Sequence, residues 1–332
     1  MNKVFKYTRR FLGHEVNVIN LFKDQFAYGH REILLEYAGI EKSALLLGKL
    51  QHGIHPPSHP LNFKSPRENL LRSPFWVYSM DSEQRARENN YKHVKAIGAP
   101  WLYLKSMSRV ASLPKSGVKF LIMPEHSTHN FLDISTDEDK RKRAAAFKKI
   151  VGDSPATVCL HYIDFLDPVT RSAFADFGWN VTCVGIANNP TPWSYAGNRT
   201  LFLSTLLSLM ESHSHWVGEG FSSSMFYAAN CGMKIGVFPE IRKLVRFGQS
   251  GVDSGKDETV KSHSIDMEFI TSHFAKSINN FHFDESYSQT AGHLLGVDCL
   301  KSASELQDIL LYKRGVVPGN YPRIGASTKV EM

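Results

Sequence analysis

The sequence predicts an α/β protein made of two doubly wound, Rossmann-like domains facing a cleft. Three observations predict it. Short apolar runs alternate with helix-patterned segments, the pattern of parallel strands joined by crossover helices. The alternation halts at Leu113-Pro114-Lys115-Ser116-Gly117 and then restarts. A chain of 332 residues exceeds one ordinary core and suits two of middling size. The break divides the chain into residues 1–113 and 114–332, the second part ending in a helix and a tail.

The first domain opens with a candidate strand, Val16 to Phe22, and a helix around Gln25 to Tyr37. An apolar run, Ala44 to Leu50, ends in Gln51-His52-Gly53. After a Pro-rich loop, Phe75 to Tyr78 reads as a short strand. Asp81, with Gln84 three residues later, is placed to cap the polar helix that follows. Val94 to Ile97 leads into Gly98-Ala99-Pro100.

In the second domain, Val118 to Met123 is a strand ending at Pro124-Glu125-His126. The segment STDEDKRKRAAAFKKI puts acids in the first turn of a helix and bases after them. Glu138 and Lys142, and Asp139 and Arg143, stand at i,i+4, so the segment reads as a solvated helix face. Strand Thr157 to Leu160 ends at His161, a helix covers about Pro168 to Phe177, and a strand Asn180 to Gly185. An amphipathic helix, Asn198 to Glu211, carries Leu201, Leu203, Leu206, Leu207 and Met210. Trp216 to Gly218 and Lys234 to Phe238 are strands flanking a helix, Ser222 to Cys231, that stops at Gly232.

Net charge is +7 and the sequence pI about 9.1, which favours anionic partners. None of the compact nucleic-acid motifs accompanies the charge, so nucleic acid is not expected. No segment approaches the roughly 20 apolar residues of a membrane span. The basic N-terminus is interrupted by Gly13, His14 and Glu15, unlike a signal peptide, so the expected location is the cytoplasm. Cys159, Cys183, Cys231 and Cys299 are irregularly spaced and form no CxxC pair, which predicts reduced thiols and no zinc site.

In open α/β sheets ligands bind beyond the carboxyl ends of strands, and several chemically active residues fall there. Ser222, Ser223 and Ser224 follow Glu219-Gly220 and open a helix. Their N–H groups and hydroxyls suit a phosphate, and a single serine would also serve as an ordinary cap. His52 follows an apolar run and precedes a glycine. It suits either a general base toward a sugar hydroxyl or a loop histidine bonded to backbone. Glu125 is a second base candidate, and His126 beside it is placed to meet a donor phosphate or its leaving group. His161, three residues before Asp164, has the spacing of half a metal site, but no second ligand cluster follows. Phosphate contact is therefore its candidate role, and no metal is expected. There is no GxGxxG, Walker A, GxSxG or DxD, which removes support for hydride transfer, P-loop chemistry, α/β-hydrolase chemistry and metal-bound sugar transfer.

Taken in order, Gln51-His52-Gly53, FWVYSMDSEQRARENNYKHVKAIGAP, LIMPEH and GEGFSSSMFYAANCGMKIGVF resemble the GT-B glycosyltransferases of capsule, O-antigen and teichoic-acid-like polymer synthesis. The resemblance spans roughly Ala44 to Glu240. It implies an acceptor-side first domain and a nucleotide-sugar (donor) second domain. His52 matches the cleft histidine of the acceptor side. Ser222, Ser223 and Ser224 match the donor-phosphate turn, with Glu219 beside them, and His126 and His161 match donor-side strand ends. The serine element with cleft histidines is also similar to transferases that use CMP-activated acidic sugars. The implied partners are a nucleotide-sugar donor and a carbohydrate or lipid-linked glycan acceptor at the inner membrane face, with no cofactor. Two other readings stand beside this one: a nucleotide-sugar epimerase of the same architecture, and a non-catalytic protein that binds anionic polymer or membrane.

Overall fold

A computed structural model describes residues 27–44, 46, 48–55, 74–108, 117–125, 131–133, 135–185, 201–238, 244–246 and 267–311. The predicted strand Val16 to Phe22, most of the Leu113 to Gly117 break and His126 lie outside the described residues. Among the described residues no helix is long and apolar enough to cross a membrane.

The predicted α/β architecture with two parallel sheets is what the chain forms. The first domain contains α1 (His30–Tyr37), β1 (Lys49–Leu50), β2 (Phe75–Val77), α2 (Met80–Glu88), β3 (Val94–Ala96) and α3 (Pro100–Met107). Its three strands pair in parallel in the order β1-β2-β3. Both faces of this sheet are covered. Phe75, Val77, Val94 and Ala96 pack on Ala86 of α2, whereas Leu50, Trp76 and Tyr78 join the core formed with α1 and α3. The α2 cap lies at Ser79, whose side chain accepts from Ser82, and not at Asp81. Asp81 is the second residue of the helix, in its first turn, and bonds His293 at 2.9 Å.

The second domain contributes β4 (Phe120–Ile122), β5 (Phe131–Asp133), α4 (Asp137–Val151), β6 (Ala156–Cys159), α5 (Tyr162–Leu166), α6 (Pro168–Ala175) and β7 (Asn180–Thr182). It continues through α7 (Phe202–Ser212), β8 (His215–Gly218), α8 (Ser223–Asn230), β9 (Lys234–Val237) and β10 (Leu244–Arg246). Five parallel strands lie in the order β7-β6-β4-β8-β9, and β10 pairs antiparallel with β5 outside that sheet. Alternation along β4 sends Phe120 and Ile122 to a core with α4 and α6. Leu121 turns to the opposite core, with α7 and α8. The chain runs from β4 outward through β6 and β7, then returns to lay β8 on the other side of β4. The order therefore reverses between β4 and β8, and a reversal of this kind opens a crevice at the carboxyl ends of the two strands.

Helix α4 forms for the reasons its sequence gives. Thr136 and Asp139 make a reciprocal capping box, three acids occupy the first turn, Lys148 and Lys149 the last, and Gly152 follows at φ 65°. The expected pair of Glu138 and Lys142 is present at 2.7 Å. The other pair is not formed: Arg143 turns inward, to partners described below.

The chain then returns to the first domain. After α9 (Glu285–Leu295), Ala99 N–H donates to the Leu295 carbonyl at 2.8 Å. Gly296 follows at φ 75°, where a Cβ would fall 1.9 Å from the Tyr78 carbonyl oxygen. Only glycine fits that approach. Lys301 N–H donates to the Tyr103 hydroxyl at 3.0 Å, and α10 (Ala303–Leu310) packs against α1 with Leu306 and Leu310 buried. The two sheets thus share one apolar core. At its centre Trp101 of α3 stacks on Tyr227 of α8 with ring centroids 4.4 Å apart, and its indole N–H donates to Asn230.

Candidate functional site

The carboxyl end of β1 meets the start of α8. Gln51 is buried, and its side chain shapes the turn that follows. Its amide donates to the Gly53 carbonyl at 2.9 Å, and its carbonyl oxygen accepts from Tyr78 N–H at 3.0 Å. The second bond ties the end of β1 to the end of β2. Gly53 sits at φ 74°, the left-handed region that such a turn requires. Ile54 N–H then crosses to the second domain and donates to Ser223 Oγ at 3.1 Å. His52, two residues earlier, belongs to the same turn. His55 bonds the His52 carbonyl at 2.9 Å, and the Tyr28 ring lies on the His52 imidazole with centroids 5.2 Å apart at 20°.

The three serines at the start of α8 are half-buried. Ser222 is the N-cap residue, yet its side chain makes no cap bond. Its hydroxyl is paired with that of Ser224 at 2.8 Å. The ordinary capping role is therefore filled by none of the three serines. The first N–H groups of a helix have no partner within it, and together with two mutually bonded hydroxyls they form a donor-rich, dipole-assisted end suited to an anion.

Beneath it lies the crevice between β4 and β8. Glu219, at the end of β8, is 2% exposed. One carboxylate oxygen accepts from Arg143 Nε at 2.6 Å. The other accepts from Arg143 Nη2 and, at 2.7 Å, from Glu125 N–H. Arg143 Nη2 also donates to the Glu125 carbonyl at 2.6 Å. One guanidinium thus clasps the loops that leave the two strands flanking the reversal. Burial works against the Arg143 charge, but the Glu219 carboxylate outweighs it, with Asp164 and Glu125 adding to the effect. The guanidinium is held above its ordinary value.

Of the predicted residues, Ser222, Ser223 and Ser224 open α8, and the turn that carries His52 is tied to them through Ile54 and Ser223, while Glu125 and Glu219 come together at the crevice. Glu219 meets protein partners with both oxygens. His161 stands at the end of β6 as the residue before α5, its ring against Tyr162 at 4.6 Å. His126 lies outside the described residues. Among the described residues no group of three His, Cys, Asp or Glu side chains is placed to hold a metal. None of the four cysteines is in a disulfide, and burial raises the Cys159 pKa to about 12.

Sequence reasoning missed three contributors. Arg143 was hidden in a charged run whose i,i+4 pattern suggested solvent. Gln51 carried a signal that went unused, since an amide next to a glycine turn is well suited to bonding the turn's own backbone. Tyr28 carried none.

No protein-family model matches the chain, and no curated protein sequence does. Among solved structures, one similar chain is a UDP-GlcNAc 2-epimerase from Neisseria meningitidis bound to UDP-GlcNAc. It is 10% identical over 79% of this chain and 67% of that one, with a TM-score of 0.35. A putative UDP-N-acetylglucosamine 2-epimerase from Listeria monocytogenes is 11% identical over 83% of this chain and 64% of its own, with a TM-score of 0.37. Os79 from O. sativa in complex with UDP is 12% identical over 71% of this chain and 54% of its own, with a TM-score of 0.34. This chain therefore spans between about half and two thirds of the length of those three.

Proposed function

We propose that the protein is a metal-independent glycosyltransferase of the GT-B type, moving a sugar from a nucleotide-activated donor to a surface-polysaccharide acceptor. The observation that carries this reading is the bond from Ile54 N–H to Ser223 Oγ, because it ties the turn that carries His52 to the helix start that carries the serines. In this reading the donor's phosphate is bound by the N–H groups and hydroxyls at Ser222, Ser223 and Ser224. His52 takes the proton from the acceptor hydroxyl as that oxygen bonds to the anomeric carbon. The bond from that carbon to the phosphate oxygen breaks with its electron pair going to the phosphate, where the helix start stabilises the added charge. Glu125 is the second base candidate, and His126 and His161 belong to the donor side. Glu219 acts through Arg143, fixing the loop that leads into the serines. The first domain serves the acceptor and the second the donor. No cofactor is required, and the site of action is the cytoplasm, at the inner membrane face where a lipid-linked glycan is within reach.

A thermal-shift screen against UDP, GDP, CMP, CDP and dTDP species tests the donor reading. Replacing Ser222, Ser223 and Ser224 together by alanine is expected to weaken the nucleotide that binds by about 1–3 kcal/mol, the range for hydrogen bonds to charged groups. Unchanged affinity in a folded variant rejects the phosphate assignment. Turnover is expected to persist in excess EDTA. Inversion of the donor sugar with no acceptor present would replace transfer with epimerisation.

A further inference from the structure

We propose that Tyr28 is a positioning residue for His52: its ring is the platform that fixes the plane of the His52 imidazole, with His30 backing that platform from the core. The proposal rests on the reading of His52 as the base.

Five rings make the arrangement. Tyr28 lies nearly parallel to His52, with centroids 5.2 Å apart at 20°. It also touches His30 at 5.4 Å and Phe202 of α7 at 4.7 Å, while His30 meets the edge of Tyr78 at 6.4 Å. Tyr28 is therefore wedged between both domains, with His52 on one face.

The backbone at this point is unusual. Tyr28 has φ 56° and ψ 9°, and Gly29 follows at φ 77°. Glycine takes that conformation freely, whereas a bulky aromatic residue takes it at a cost. Strain of this kind persists where the surroundings over-determine it, and it concentrates at functional sites. Here its consequence is visible: the ring is delivered onto His52.

His30 is the second oddity. It is 0% exposed, and among the described residues neither ring nitrogen has a hydrogen-bond partner. Buried polar atoms without partners are rare and call for an explanation. Burial first, and the nearby His52 second, lower its pKa to about 3, so it stays neutral at working pH. Burial raises Tyr28 to about 12, and Tyr227 is pushed up as well by burial and by Tyr28. Arg31, next on the helix, is turned away to the Lys42 and Ala44 carbonyls. Tyr28 and His30 thus both stay uncharged at neutral pH. A base needs its nitrogen held within hydrogen-bond reach of the acceptor, and a ring stacked on a fixed plane loses the torsional freedom that would misalign it.

The test uses the full chain labelled with [13C-ε1]histidine, the His52 signal being assigned by its loss in His52→Gln. Tyr28→Leu is expected to move the His52 Hε1 resonance downfield as the ring-current shift disappears, and Tyr28→Phe to restore it. Wild-type protein is expected to show a nuclear Overhauser contact between the Tyr28 ring and His52 Hε1, a measurement that stands even where Tyr28→Leu fails to fold. An unmoved His52 signal in folded Tyr28→Leu, or no such contact in the wild type, overturns the platform. If the platform is found but His52→Ala keeps full turnover, the base reading has failed instead.

Discussion

Ile54 N–H donates to Ser223 Oγ at 3.1 Å, joining residues 169 apart in the chain and lying on opposite domains. Ile54 is buried, so its amide has no water to turn to if the hydroxyl is removed. Leaving a buried donor unsatisfied costs about 1–3 kcal/mol. Ser223→Ala is accordingly expected to lower unfolding free energy by about that much. It should also lower turnover more than nucleotide affinity, because the N–H groups of the helix start survive. Denaturant unfolding and calorimetry on the same variant separate the two effects. Unchanged stability would mean that the two domains are held together without this bond.

Arg143 and Glu219 predict the cost of opening the crevice between β4 and β8. The pair is buried, and removing one partner of a buried pair costs about 3–5 kcal/mol because the other charge is stranded. Arg143→Leu leaves the Glu219 carboxylate with the Glu125 N–H as its remaining partner. A melting point that drops strongly in Arg143→Leu but little in Lys142→Leu, whose side chain is exposed and paired with Glu138, is the expected contrast. Equal effects would contradict the clasp.

That contrast also marks how far the sequence could be read. The strands were legible because most apolar runs end at Gly, His or Pro, although the run of β2 ends at Ser79, and the helices because their caps and end charges are local. Even so, the α2 cap moved from Asp81 to Ser79, since several short polar residues compete at one helix start. Arg143 was illegible for a different reason: its partner Glu219 is 76 residues away, and a charge pattern along a helix does not say which side chain turns inward. His52 and the serines were named separately. Only the Gln51-shaped turn and the Ile54 bond bring them together, and neither contact leaves a periodic trace. The return of α10 to α1 depends on Gly296 fitting under Tyr78, a contact between domains that no local pattern encodes.

His30 predicts a pH dependence of stability. Its folded pKa is lowered to about 3 from 6.5, so between those values the unfolded chain binds a proton that the folded chain does not. Stability from this group is complete above 6.5 and is lost as pH falls toward 3. At pH 5 the loss is about 2 kcal/mol, from 1.5 units at about 1.4 kcal/mol each. His30→Phe keeps an aromatic ring and removes two unpartnered nitrogens. It is expected to match or exceed wild type at pH 7 and to show a flatter decline between pH 6.5 and 4. Parallel declines in the two proteins would mean that His30 is solvated and titrates normally.

The last prediction concerns His52. The turn that carries it is tied to the start of α8 by the Ile54 bond, and its carbonyl is bonded by His55. A base in that place matters when the acceptor proton moves and matters little for holding a nucleotide on the serines. His52→Ala is therefore expected to lower kcat by roughly 10²–10⁴, the usual contribution of general-base catalysis, with nucleotide affinity within about twofold. A pH–rate profile of the wild type should carry an acidic limb that is absent from the variant's residual activity, because a protonated imidazole cannot accept the hydroxyl proton. Steady-state kinetics and calorimetry on one preparation decide between the outcomes. If turnover stays near wild type, His52 is a structural part of the turn, and Glu125, at the end of β4, becomes the leading base. Equal losses in affinity and turnover would give His52 a binding role, contacting the donor phosphate alongside Ser223.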